Sequence, residues 1–152
     1  MKLNIILNYY SFCKNNNNLP FKDDIFYWLY SIFSKKNIKK IILNISIVEK
    51  NYIFKLNKKY LKISKPTNVL SFLLERNISD KTLSGDIILC KEIIENESFL
   101  QKKSLQSHWA HIIIHACLHL LQYNHKNINE TCLMQLKEIK MLNLLGYKNP
   151  YF

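Results

Sequence analysis

No stretch of this chain approaches the roughly 20 consecutive apolar residues that a membrane span needs. The N-terminal residues Met1 to Asn8 are interrupted by Asn4 and Asn8, and no small-residue cleavage site follows a sustained apolar run, so a secretory leader is not expected. None of the four cysteines (Cys13, Cys90, Cys117 and Cys132) forms a C-x-x-C pair, and their neighbours are mostly apolar. Such cysteines behave as small buried hydrophobes, which excludes a disulfide scaffold and points to a reducing compartment. The expectation is a soluble, cytoplasmic protein. Internal repeats are absent too, which excludes a solenoid or propeller. Arginine is nearly missing: Arg76 is the one arginine among 22 basic residues.

What is present is a chain of 152 residues, 48% of them apolar, enough for one domain with one core over residues 1–152. The formal charge is +11. Phosphate polyanions and anionic membranes are natural partners of such a surface. The lysine, Asn and Ile bias also matches what an AT-rich coding sequence produces, so the charge supports a nucleic-acid partner only weakly.

Apolar periodicity sets out the elements. Leu3–Tyr9 and Ile41–Val48 read as strands, and Val69–Leu73 and Asp86–Cys90 as two shorter ones. Phe21–Lys36 carries a helical stripe of Ile25, Trp28, Leu29, Ile32 and Phe33. Glu49–Tyr60 and Lys91–Gln101 read as further helices. Ser107–Tyr123 is apolar nearly all round, the mark of a buried core helix. Asn129–Leu145 is the last helix, stopped by Gly146. The polar stretch Glu75–Ser84 reads as a surface connection. The order predicts an α+β single domain: a small, mixed, four-stranded sheet packed with about five helices.

All five histidines lie from His108 to His125, four of them in the predicted core helix. On an ideal helix, at about 100° per residue, His108, His111, His115 and His119 fall within an arc of about 80°. A stripe of imidazoles on a buried helix is costly, because each ring carries two nitrogens that need partners. A metal ion answers that need. His115 and His119 stand at i and i+4, about 6 Å apart along the axis, and both can reach one ion. A turn over Gln122–Asn124 lets His125 return as a third ligand. Three neutral imidazoles with one position left open form a catalytic zinc pattern, with one Zn²⁺ per chain. His111, one turn earlier, is placed as support for the site or as an RNA contact, and His108 is expected to be exposed.

The spacing also resembles the H-E-x-x-H-x-x-G-x-x-H pattern of metzincin proteases. Position 116 separates the two. A protease needs Glu there as general base, and Ala116 can neither accept nor donate a proton.

The run His115-Ala116-Cys117-Leu118-His119-Leu120-Leu121-Gln122-Tyr123-Asn124-His125 resembles the H-G-x-L-H-L-x-G-Y-D-H signature of the YbeY family, bacterial endoribonucleases also called rRNA maturation factors. Pro66-Thr67-Asn68-Val69-Leu70-Ser71-Phe72 is similar to that family's P-T-[DN]-V-L-S-F, and Gly85-Asp86-Ile87 to its G-D-I. The chain departs from the pattern at Ala116, Gln122 and Asn124, and carries Leu61 followed by Lys62 where the family has an arginine. If position 122 requires φ > 0, Gln122 costs on the order of 1 kcal/mol there. The resemblance implies cleavage of single-stranded RNA in maturation of the 3′ end of small-subunit rRNA and in ribosome quality control, with the small ribosomal subunit as partner. The expected parts are Lys58, Lys59, Lys62 and Lys65 on the RNA backbone, and Asn68 or Ser71 on a phosphate or water. Asp86 and Asn124 are expected behind the ligand imidazoles. The lysines read equally well as a solvated helix face. An RNA-binding ribosome-assembly factor with structural zinc and a zinc peptidase or amidase are the competing readings; the second lacks its base at Ala116. The sequence carries no indication of oligomeric state.

Overall fold

The structure, a computed structural model, describes residues 2–123 and 125–151. Four strands and five helices follow one another as β1 (Asn4–Ser11), α1 (Lys22–Phe33), β2 (Lys40–Val48), α2 (Lys50–Leu61), β3 (Val69–Asn77), β4 (Thr82–Cys90), α3 (Lys91–Leu100), α4 (Leu105–Leu120) and α5 (Ile128–Leu144). The sheet order is β1-β2-β4-β3. The first three strands in that order run parallel, and β3 is antiparallel to β4. This is the small mixed sheet with five helices that the periodicity predicts.

Strand alternation decides what each face of the sheet does. Ile41, Leu43, Ile45 and Ile47 of β2 are all 0% exposed. With Leu83, Ile87 and Leu89 of β4 they build the main core against α1, α4 and α5. Each such fully buried side chain contributes about 1.5–3 kcal/mol relative to an exposed one. The residues between them point the other way. There Val48, Leu70 and Cys90 pack with Ile53 of α2 in a second, smaller cluster. That face also carries a polar ladder: Asn8 Nδ2 donates to Asn44 Oδ1 at 2.9 Å, and Asn44 Nδ2 donates to Asp86 Oδ1 at 2.9 Å.

The polar stretch 75–84 is not a surface connection. β3 and β4 continue through it as a hairpin, pairing Glu75 with Ser84, Arg76 with Leu83 and Asn77 with Thr82. β3 is an edge strand, so its outer residues face solvent and its sequence reads as polar. A bulge between Leu73 and Glu75 also breaks the alternation that would have revealed it. Among the cysteines, Cys90 and Cys117 are buried and all four are free thiols, but Cys132 is exposed on α5. Among the described residues no helix is long and apolar enough to cross a membrane.

The chain has two glycines, and apart from Gly146, at φ +87°, the left-handed positions among the described residues are taken by other residue types. Asn18, Lys62, Lys81, Lys102 and Gln122 all have φ between 54° and 73°. Gly85 serves a different need: a Cβ there would lie 2.9 Å from Leu120 Cδ2 and 3.0 Å from the Phe72 carbonyl oxygen. The glycine lets α4 settle onto β4, and α4 carries the histidines.

Candidate metal centre

α4 starts at a cap, Ser104 Oγ accepting from the Ser107 amide at 3.1 Å. Trp109, Ile113, Ile114, Cys117 and Leu118 lock the helix into the core at 2% exposure or less. That packing leaves the histidine stripe facing α3, α5 and the residues around Tyr151.

Each of these rings has a named partner. His108 Nε2 lies 3.0 Å from Glu97 Oε1. It is buried, where the sequence predicts exposure, because Glu97 on α3 provides the polar partner that makes its burial tolerable. His111 Nε2 lies 2.6 Å from Glu138 Oε1, and His115 Nδ1 lies 2.7 Å from Glu138 Oε2. The Tyr151 hydroxyl donates to Glu138 Oε1 at 2.5 Å. Glu138 is thus a carboxylate at 1% exposure that receives three donors. Burial alone would raise its pKa. The hydrogen bonds from His111 and His115 outweigh that and hold it down to about 2. For His111, burial is the largest influence and lowers its pKa, so the ring stays neutral and donates through Nε2–H.

The consequence for His115 is chemical. With its Nδ1–H committed to Glu138, the lone pair is on Nε2. That atom lies 3.2 Å from His119 Nε2. Two tetrahedral ligands at about 2.05 Å from one zinc stand about 3.3 Å apart. Burial and the neighbouring His115 and His125 rings lower His119 to about 4, so it presents a neutral imidazole.

His125 is brought in by the way α4 ends. Gln122 is left-handed, with φ +73°. The Gln122 amide bonds the His119 carbonyl at 2.8 Å, and the Tyr123 amide bonds the Leu118 carbonyl at 3.0 Å. This is a Schellman closure, which reverses the chain within a few residues. The conditional expectation of φ > 0 at position 122 therefore holds. Donor atoms of His115, His119 and His125 lie within 4.8 Å of one another, and together they could hold a metal ion.

The other expected residues are distributed unequally. Asn68 lies beside the histidines: its Nδ2 donates to the Glu97 carboxylate at 3.1 Å, and it lines a 340 Å³ depression together with His111 and His115. Ser71 is half-buried on β3 opposite Ile87, which puts it on the α4 side of the sheet. Lys58, Lys59, Lys62 and Lys65 are exposed on α2 and the loop after it. Lys62 forms the left-handed cap of α2, and Asn57 Nδ2 holds the Lys65 carbonyl at 2.8 Å. Asp86 is not behind a ligand imidazole. It points to the opposite face of the sheet from Gly85 and α4, where it accepts from Asn44. The carboxylate that orients His115 is Glu138. Asn124 lies outside the described residues.

Glu138, Glu97, Tyr151 and Lys103 are the neighbours that sequence reasoning missed. One signal for Glu138 was available. Met134, Glu138 and Leu142 recur every four residues on α5, and a carboxylate in line with two buried apolar side chains demands a buried partner.

Comparisons with known proteins bear on the family and the fold. The family model for endoribonuclease YbeY matches residues 12–146. A protein named Endoribonuclease YbeY from Buchnera aphidicola subsp. Acyrthosiphon pisum is 48% identical over 97% of this chain and 96% of its own length. Its namesake in Wigglesworthia glossinidia brevipalpis is 48% identical over 88% of each chain. A Thermotoga maritima protein solved in solution superposes with a TM-score of 0.61 at 23% identity, covering 91% of this chain and 87% of its own, which is a likeness of fold. Matched along most of its length by family model and relatives alike, the chain belongs to the YbeY endoribonuclease family.

Proposed function

We infer that this chain is a zinc-dependent endoribonuclease, a single domain over residues 1–152 that cuts single-stranded RNA in the cytoplasm during maturation of the 3′ end of small-subunit rRNA. The small ribosomal subunit is its working partner, in biogenesis and in quality control. One observation carries the reading. His115 is clamped at Nδ1 by Glu138, and its Nε2 is turned toward His119 and His125. Neutral imidazoles suit zinc, and Ala116 provides no base for peptide hydrolysis.

The bound ion would lower the pKa of a water toward about 7 or polarise a phosphoryl oxygen. The protein's own groups do the rest. Glu138 keeps the proton of His115 at Nδ1, so that Nε2 stays a donor of its lone pair. His111 and Tyr151 hold the Glu138 carboxylate in place. Asn68, which lines the depression beside His115, and Ser71 on the α4 side of β3 would orient a phosphate or a water. Lys58, Lys59, Lys62 and Lys65 hold backbone phosphates as point charges, where an arginine would make a bidentate contact.

The experiment is direct. Metal content is measured on the purified protein, which is then incubated with single-stranded RNA and with a peptide pool. RNA cleavage that vanishes in His115→Ala supports the reading. Tight zinc and intact RNA binding without cleavage would instead make the chain an RNA-binding assembly factor. Cut peptides and untouched RNA would overturn both.

A further inference from the structure

Lysines of the α3–α4 loop and the α5–Tyr151 segment lie along a trough that starts at the histidines. The 340 Å³ depression at His115 adjoins one of 510 Å³. Gln101, Lys103, His111, Pro150 and Tyr151 line both, so the two form one continuous channel open to solvent. Asn68 and His115 line its histidine end, Lys103 lines both parts, and Lys102 and Lys148 line the part farther from His115.

Its charge is one-sided. Glu97 is the one carboxylate among the lining residues, and Asn68 and His108 already bind it. Glu138 lies beneath the floor at 1% exposure, with three donors upon it. Lys102 and Lys148 are exposed and Lys103 is half-buried. Burial lowers the Lys103 pKa from the ordinary lysine value, and the Glu97 and Glu138 charges counter part of that. Two aromatic rings, Tyr147 and Tyr151, line the same trough. A positive open groove with aromatic side chains is the physical signature of a single-strand nucleic-acid channel: cations track phosphates and rings stack bases irrespective of sequence. An enclosed apolar pocket would instead suit a small molecule.

We propose that the RNA strand leaves the histidine site along this trough, with Lys102, Lys103 and Lys148 taking consecutive phosphates and Tyr147 and Tyr151 stacking bases. The assignment rests on the endoribonuclease reading and adds to it a direction for the strand. It also shifts the weight of RNA binding away from Lys58, Lys59, Lys62 and Lys65.

The test compares the full chain with two variants, K102Q/K103Q/K148Q and K58Q/K59Q/K62Q/K65Q. Glutamine removes charge and makes no new backbone demand at left-handed Lys102. Binding of a fluorescent oligouridylate of about 12 nucleotides, within single-strand site sizes, is followed by anisotropy across a salt series. The trough variant is expected to bind on the order of tenfold more weakly at low salt. Its log K against log salt slope should fall by about 2, since three phosphates contribute about 0.7 each. Photo-crosslinking of 4-thiouridine RNA to the unmodified protein, which does not depend on any variant folding, should mark peptides holding Lys102–Lys103 or Tyr147–Tyr151. Unchanged affinity and slope in a folded trough variant, or crosslinks confined to other segments, overturn the trough while leaving the enzyme reading intact. An unmodified chain that neither binds nor cuts RNA overturns the enzyme reading, and the trough with it.

Discussion

Glu138→Gln is the sharpest perturbation the centre offers, because it changes almost no volume. The carboxylate has two oxygens and receives three donors, from His111 at 2.6 Å, His115 at 2.7 Å and Tyr151 at 2.5 Å. Glutamine keeps one acceptor oxygen and replaces the other with an NH₂ donor. If the oxygen stays with His111 and Tyr151, the NH₂ meets the Nδ1–H of His115, donor against donor. His115 then moves its proton to Nε2 and loses the lone pair it would give a metal. If the oxygen stays with His115, the NH₂ meets His111 Nε2–H, and His111 must carry its proton on a buried Nδ1 that has no partner among the described residues. The first arrangement loses the bond from His115 and the second takes the acceptor from both His111 and Tyr151, so at least one charge-assisted bond, about 1.5–3 kcal/mol, is lost either way. Loss of such a brace behind a metal-binding histidine lowers metal affinity 10–100-fold as a rule, or about 1.4–2.7 kcal/mol. Chelator competition for zinc measures the affinity, and urea unfolding in EDTA measures the metal-free stability. A folded Glu138→Gln protein that binds zinc within about twofold of the unmodified chain would refute the argument.

The same carboxylate makes stability depend on acid. Its folded pKa of about 2 lies below the ordinary 4.5, so its contribution is complete above pH about 4.5 and is lost as pH falls toward 2, a change of about 3 kcal/mol. Urea midpoints between pH about 5 and 3 should therefore drop less in Glu138→Gln than in the unmodified protein, and equal drops would contradict the assignment. Gly85→Ala should destabilise by about 1–3 kcal/mol, since its Cβ would stand 3.0 Å from a backbone oxygen that cannot easily retreat; an unchanged urea midpoint would count against the packing of α4 on β4. Gln122→Gly should stabilise by about 1 kcal/mol by removing left-handed strain at φ +73°, and differential scanning calorimetry should find a higher melting temperature. Asp86→Asn should leave zinc affinity unchanged and stability within about 0.5 kcal/mol, because the new amide oxygen can still accept from Asn44; lost zinc binding would place Asp86 back behind the site.

Local patterns in the sequence determined a good deal. The run of Ile and Leu at alternate positions of 41–47 specified a strand with one buried face, and that is how β2 lies. The apolar circumference of α4 marked it as central. The spacing of His115, His119 and His125 brought three rings together, since i and i+4 share a helix face whatever surrounds the helix, and a left-handed residue after the last turn sends the chain back. These features depend on residues close in sequence, so periodicity could carry them. Partners from distant elements could not be read the same way. His108 looked exposed until α3 brought Glu97 against it. Asp86, sequence neighbour of a packing glycine, seemed suited to the histidines, but successive strand residues point to opposite faces, and the acid faced Asn44. Glu138 stands 23 residues from His115 and meets it only because α5 folds back across α4. The histidines of the centre are therefore a property of one helix and its closing turn. The carboxylate that fixes which nitrogen of His115 is free, and the lysine trough that leads away from it, exist only where separate helices meet.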